Sequence, residues 1–203
     1  MSGLLLAAHG GLGFTRWVGL PAILLLGLLA PMAAAAAVDP AALLAGEGRV
    51  LMLRHALAPG TGDPDNFRVD DCATQRNLDA RGRAQAAAIG ERLREMGIGQ
   101  ARVHSSQWCR CLDTARLLDL GPVHELPALN SFFQRPRDRE PNLAALQGFL
   151  DAQPRDGGLL VLVTHQVTVS AVSGLFVGSG EGVVLELEPG GGLRVLGRVG
   201  FDH

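Results

Sequence analysis

Arg54-His55, Arg110 and His165 are the residues whose types and placement could do chemistry together. Arg54-His55 closes the apolar run Arg49-Val-Leu-Met-Leu53. Arg110 opens the helical segment that follows Ala101 to His104, and His165 follows the apolar run Leu159 to Val163. Two guanidiniums bind a phosphate dianion through paired, charge-assisted hydrogen bonds. A histidine can attack phosphorus and hold the phosphoryl group covalently. A second histidine and the arginines can stabilise charge on the equatorial oxygens during transfer. This chemistry requires segments far apart in sequence to end side by side. The carboxyl ends of parallel strands in an open α/β sheet line one crevice, and each of these residues follows an expected strand end.

The elements that must position them read as follows. Asp39 to Ala45 suits a short surface helix, and Arg49 to Leu53 a buried strand. Ala58 to Arg76 is rich in Pro, Gly, Asp and Asn, has no periodicity and reads as a long functional loop. A helix is predicted from its N-cap Asp79 to Met96, stopped by Gly97, with Gly82, Ala86, Ile89, Leu93 and Met96 as its buried stripe. Ala101 to His104 is a second strand, and Ser105 or Ser106 is placed to cap the helix running to Leu118. Pro122 to His124 is a third strand, and Glu125 to Glu140 is irregular. Pro141 suits the first turn of a helix reaching Gln153. Leu159 to Val163 is the strongest strand, with a helix to Ser173 after it. Val183 to Glu188 and Leu193 to Val199 make a closing hairpin. Strands alternating with helices imply a three-layer α/β/α sandwich over a mostly parallel sheet.

Composition narrows the chemistry. All 18 basic residues are arginine, so lysine Schiff-base chemistry and a lysine-containing phosphate loop are excluded. A net charge of −2 with no basic run gives no support to nucleic-acid binding. Val18 to Ala30 is apolar, follows Arg16 and precedes an alanine run. Residues 1–37 therefore read as a secretory signal cleaved near Ala35 to Ala37, leaving one domain over 38–203 in the periplasm or outside the cell, with no membrane partner after cleavage. The alternative is an uncleaved anchor, since Trp17 to Val38 is long enough to span a bilayer. Of three cysteines, Cys109 and Cys111 point to different faces of a helix. Cys72 can pair with one of them and leave the other buried or free. His104 and His124 border strands and read as structural, as Trp108 reads as packing. A zinc site using His55, His104, His124 and His165 has no supporting carboxylate spacing.

Four blocks carry a family resemblance. Leu51-Met-Leu-Arg54-His55-Ala56 resembles the Arg-His-Gly signature of the histidine phosphatase (phosphoglycerate mutase-like) superfamily, with Ala56 in place of glycine. Asn77-Leu-Asp-Ala-Arg-Gly82 resembles its Leu-Thr-x-x-Gly helix entry. Ser105-Ser-Gln-Trp-Cys-Arg110-Cys-Leu-Asp-Thr114-Ala115 resembles its Ser…Arg…Thr-Ala block, and Val163-Thr-His165 the strand ending in the second histidine. The resemblance spans about residues 49 to 199. It implies His55 as the nucleophile that becomes phosphohistidine, and Arg54, Arg110 and His165 as the phosphate pocket, with no metal or organic cofactor.

The same resemblance leaves the general acid open. Such enzymes use either an Asp directly after the second histidine, where this chain has Gln166, or a Glu after the third strand. Glu125 is the proton donor if it is that match. If Leu129 aligns with the family's leucine instead, the position falls on Asn130 or Ser131 and the acid is lost. Asp63 and Asp65 in the long loop are further candidates. The expected activity is an exported phosphomonoesterase acting on a small-molecule phosphate ester. The alternatives are a catalytically weak phosphate-ligand binder and a phosphomutase.

Overall fold

The structure is a computed structural model and describes residues 39–201. The expected secretory segment lies outside the described residues. Among those described, no helix is long and apolar enough to cross a membrane.

A six-stranded sheet forms the middle layer. Its strands are β1 (Arg49–Arg54), β2 (Arg102–Ser105), β3 (Val123–Glu125), β4 (Leu160–Thr164), β5 (Gly182–Leu187) and β6 (Leu193–Val199), in the order β3-β2-β4-β1-β5-β6. β3, β2, β4 and β1 pair in parallel, and the β5–β6 hairpin adds antiparallel on the β1 side. Buried on both faces, β1 and β4 are continuous apolar runs rather than alternating ones. Leu51, Leu53, Val161 and Val163 pack with Leu44, Ile89, Leu93 and Ala115 in one layer. Val50, Met52, Leu160 and Leu162 pack with Leu146, Leu150 and Val169 in the other. Helices α1 (Pro40–Leu44), α2 (Ala80–Glu95) and α3 (Cys109–Leu117) therefore cover one face, and α4 (Arg139–Asp151) and α5 (Gln166–Ser173) the other. This is the three-layer α/β/α sandwich that the alternation of elements implies.

α2 begins as its sequence dictates. The Asp79 carboxylate accepts from the Gly82 amide at 2.7 Å, and Gly97, at φ 87°, turns the chain out beyond the C-cap Met96. Gly82 also brings α2 against the backbone just after His55: a Cβ there would meet the Leu57 carbonyl oxygen at 1.9 Å. α3 departs from expectation. Its N-cap position is Trp108, with no side-chain cap, and Ser105 is the last residue of β2. Ser106 accepts from the Trp108 amide at 3.3 Å, but its hydroxyl is turned toward His165.

The long loop is strapped down rather than open. Cys72, in a single 3-10 turn (Cys72–Thr74), is joined by a disulfide to Cys109 at the start of α3. Beside it the Gln75 side chain accepts from the Cys109 amide and donates to the carbonyls of Arg68 and Val69. Cys111, the free thiol, is buried.

Replacing Gly82 by alanine forces backbone apart where neither side can yield cheaply. Chemical denaturation of Gly82→Ala is expected to show a loss of about 3 kcal/mol, against which an unchanged midpoint would count.

Candidate active site

β4 lies between β2 and β1, and all three point the same way. The register sets Arg54 opposite Thr164 and Ser105 opposite Val163, so the residues that follow emerge at neighbouring levels. The ring centroids of His55 and His165 are 5.5 Å apart, edge to face. Arg110 comes in from the first turn of α3 and is 3% exposed. Arg54 donates through Nη1 to the Val177 carbonyl at 3.0 Å. These four residues line a cavity of about 170 Å³ together with Asp63 and Arg76.

Arg76, the last residue of the long loop, also reaches the cavity. Its Nε donates to the Gly62 carbonyl and its Nη1 to the Ala58 carbonyl, which holds a third guanidinium at the cavity. Asp63 spans the Arg110 fork: Nη1 donates to Oδ1 at 2.7 Å and Nη2 to Oδ2 at 3.1 Å. The Asp63 carboxylate also accepts from the Arg76 amide at 3.0 Å and from the Trp108 indole at 3.0 Å.

Burial and the neighbouring charges bias the protonation states. His55 Nδ1 lies 2.8 Å from the Ala56 carbonyl oxygen. A carbonyl only accepts, so Nδ1 carries the proton and Nε2 keeps its lone pair. Burial, reinforced by Arg110, lowers the His55 pKa to about 3, so the ring is neutral at neutral pH. Burial and then Arg110 push His165 well below its ordinary value too. Burial would raise the Asp63 carboxyl, but its hydrogen bond and charge contact with Arg110 outweigh that and keep it ionised. Cys111, whose Sγ is 3.5 Å from His165 Nε2, is pushed up to about 12 by burial and is an unreactive thiol.

Ser106 joins this group without having been singled out for it. Its hydroxyl lies 2.9 Å from His165 Nε2 and donates to the Asn130 side chain at 3.1 Å. Asn130 also accepts from the Gln107 amide, and Ser131 lines the cavity. An adjoining recess of about 190 Å³ is walled by Phe67, stacked on Trp108, and by Asp65 and Arg135. It shares Asp63, Ser131 and Gln134 with the cavity.

Glu125, the expected proton donor if it matches the family's glutamate, is not among the cavity's lining residues. β3 is the edge strand, and three interstrand spacings, roughly 14 Å, separate its end from that of β1. The Glu125 side chain is exposed and accepts from Gln107 at 3.2 Å. Asp65 borders only the recess. His104 and His124 face each other from β2 and β3, with His104 packed on Phe149, so the four-histidine zinc set is not assembled. Among the described residues no group of three or more His, Cys, Asp or Glu is placed to hold a metal ion.

Residues 50–132 match the sequence profile of the histidine phosphatase superfamily (branch 1). The fold is a histidine phosphatase fold. Solved structures that share it include "Mycobacterial hydrolase 1", with 19% identity and TM-score 0.53 over 76% of this chain and 98% of that one. A SixA of Agrobacterium tumefaciens matches with 18% identity and TM-score 0.52, over 76% and 99% of the two chains. The protein histidine phosphatase SixA complexed with tungstate matches with 14% identity and TM-score 0.51, over 75% and 97%. A comparison with curated proteins finds no match.

Two outcomes follow from this geometry. Glu125→Gln is expected to keep phosphate-ester turnover within about twofold of the parent, because the residue meets solvent on an edge strand. A loss of a hundredfold would put Glu125 back in the reaction. The neutral histidines also make the fold acid-sensitive. Between the unfolded value of 6.5 and the folded value of about 3, unfolded His55 binds a proton that native His55 does not, so stability falls as pH falls through that window. His165 acts in the same direction. Each histidine steepens the decline by up to about 1.4 kcal/mol per pH unit. Denaturation midpoints for His165→Asn should fall less steeply between pH 6.5 and 4 than those of the parent, and parallel curves would contradict this.

Proposed function

We propose that this protein is an exported phosphomonoesterase that hydrolyses a small phosphate ester through a phosphohistidine on His55. The observation that carries the reading is a neutral His55 whose Nδ1 is tied to the Ala56 carbonyl, leaving the Nε2 lone pair in a cavity lined by Arg54, Arg76 and Arg110. A nucleophile must be unprotonated at the attacking atom, and the tautomer and the lowered pKa both meet that need. Nε2 attacks phosphorus as the ester P–O bond breaks, and the leaving oxygen takes up a proton and departs as the alcohol. Water then attacks the phosphohistidine, the P–N bond breaks and its electron pair returns to Nε2.

The arginines suit the phosphoryl group. The Nε atoms of Arg54 and Arg110 are buried without a hydrogen-bond partner, an arrangement an oxyanion would relieve. A bound dianion would also raise the pKa of His165 and favour its donating a proton-bearing nitrogen to an equatorial oxygen. Tungstate, the ligand of the SixA structure, is a tetrahedral oxyanion like phosphate, which supports the same use of the site here. The recess walled by Phe67, Trp108 and Arg135 offers room for the leaving group. Export rests on the secretory reading of residues 1–37, and a Cys72–Cys109 disulfide is at home in an oxidising compartment.

One observation favours a second reading, a phosphate-ligand binder with little turnover: the one carboxylate lining the cavity is held on Arg110. The test separates the two. The protein should release phosphate from an aryl phosphate, with His55→Ala lowering the rate at least about a thousandfold. Full activity in His55→Ala would end the phosphohistidine reading. Wild-type binding of phosphate esters with no turnover at any pH from 4 to 8 would select the binder.

A further inference from the structure

The Arg110 guanidinium cannot hold a phosphoryl group through its outer fork while Asp63 is there. Both terminal nitrogens of Arg110 donate to the two oxygens of Asp63, and Nη1 also reaches the Arg76 carbonyl at 3.1 Å. Both side chains of this ion pair are nearly excluded from solvent, at 3% and 6% exposure. A carboxylate seated bidentate on a buried guanidinium uses the contacts a phosphate would use. We propose that Asp63 is a displaceable internal anion, which yields the Arg110 fork to the entering phosphoryl group and, once released, is the carboxyl group that protonates the leaving oxygen. The second half rests on the phosphatase reading above; the first does not.

The surroundings of Asp63 allow the exchange. Its backbone is fixed from both sides by one residue: Gln134 accepts from the Asp63 amide at 2.7 Å and donates to the Asp63 carbonyl at 3.1 Å. The side chain can therefore turn while the loop stays in place. The hydrogen bonds from its two neutral donors, the Arg76 amide to Oδ1 and the Trp108 indole to Oδ2, lengthen or re-form as the carboxylate turns off Arg110.

Position selects Asp63 for the proton as well. With the phosphoryl group in the cavity and the leaving group in the recess, the bridging oxygen lies where the two meet. Asp63, Ser131 and Gln134 line both, and Asp63 alone of these is an acid. The charged and titratable groups lining the cavity around it are Arg54, Arg76, Arg110, His55 and His165, with Asp65 and Arg135 at the recess. On Arg110 the carboxyl is held ionised. Moved off Arg110 and beside a phosphoryl dianion, it gains a reason to bind a proton from solvent. That proton passes to the ester oxygen as the P–O bond breaks. The carboxylate then takes a proton from the attacking water as hydroxide bonds to phosphorus and the P–N bond opens, so the acid is restored. When phosphate leaves, Asp63 returns to Arg110 and gives its proton to solvent.

Asp63→Asn and Asp63→Ala, made in the full protein with its disulfide intact, test both halves. Calorimetric titration with inorganic phosphate should show binding about tenfold tighter in Asp63→Ala than in wild type, because the competing anion is gone. Turnover of an alkyl phosphate, whose leaving oxygen needs the proton, should fall about a hundredfold or more, while a nitrophenyl phosphate should lose less than about fivefold. Unchanged or weaker phosphate binding in both variants would overturn displacement. Equal losses on the two esters would overturn the proton-donor role. A wild-type protein inert toward every ester would overturn the phosphatase reading and the proton-donor half with it, leaving the binding measurement to decide displacement. Wild-type protein supplies an arm that needs no variant: the NMR signal of the Trp108 indole N–H should move on addition of phosphate, and a static signal would contradict the exchange.

Discussion

Positive charge gathered around two buried imidazoles is the constraint on which this site depends. Arg54, Arg76 and Arg110 share one cavity with His55 and His165, and Asp63 is the single carboxylate among its lining residues. Burial removes both rings' access to water, and the guanidiniums oppose a further positive charge, so the imidazoles stay neutral. The same arrangement suits a dianion and leaves an uncharged nitrogen beside it. Burying like charges together is costly unless they are paired, and the Asp63–Arg110 pair offsets part of that cost.

The fold serves this constraint through backbone placement. His55 sits one residue past β1, where its amide donates to the Thr164 carbonyl at 2.9 Å and locks it to the strand that delivers His165. The next two amides are captured by side chains from two helices. Ala56 donates to the Thr114 hydroxyl at 3.0 Å, and Leu57 to the Gln85 amide oxygen at 2.8 Å. Thr114 therefore has a physical task in the block that also supplies Arg110, and Gln85 one in the helix entered through Gly82. The disulfide and the Gln75 bond to the Cys109 amide hold the loop that carries Asp63 and Arg76 against the start of α3. The loop can thus be long without being loose.

What was legible in the sequence follows from the range of the forces involved. Continuous apolar runs mark β1 and β4 because both faces of those strands are covered, and Asp79 marks the start of α2 because capping is local. Arg54-His55 and His165 were recognisable as the residues just past those runs. Arg76 and Asp63 lie in a segment without periodicity, and their partners are distant in sequence: Asp63 meets Arg110 across 47 residues and Trp108 across 45. Ser106 reads as a helix cap by position, but the helix starts only at Cys109, after a bend at Gln107 and Trp108, and the hydroxyl faces His165. Glu125 follows the third strand in order, yet strand order in space differs from order in sequence and leaves it at the sheet edge. Cys72 could be paired only as one of two possibilities, since connectivity depends on how the loop folds back.

The claim that a neutral His55 takes up the phosphoryl group is tested most directly by trapping the intermediate. Protein mixed with a labelled aryl phosphate and quenched within one turnover should carry one acid-labile, base-stable phosphoryl group, located by peptide mapping on His55. Label on another residue, or multiple-turnover hydrolysis with no trapped label at any quench time, would contradict the account.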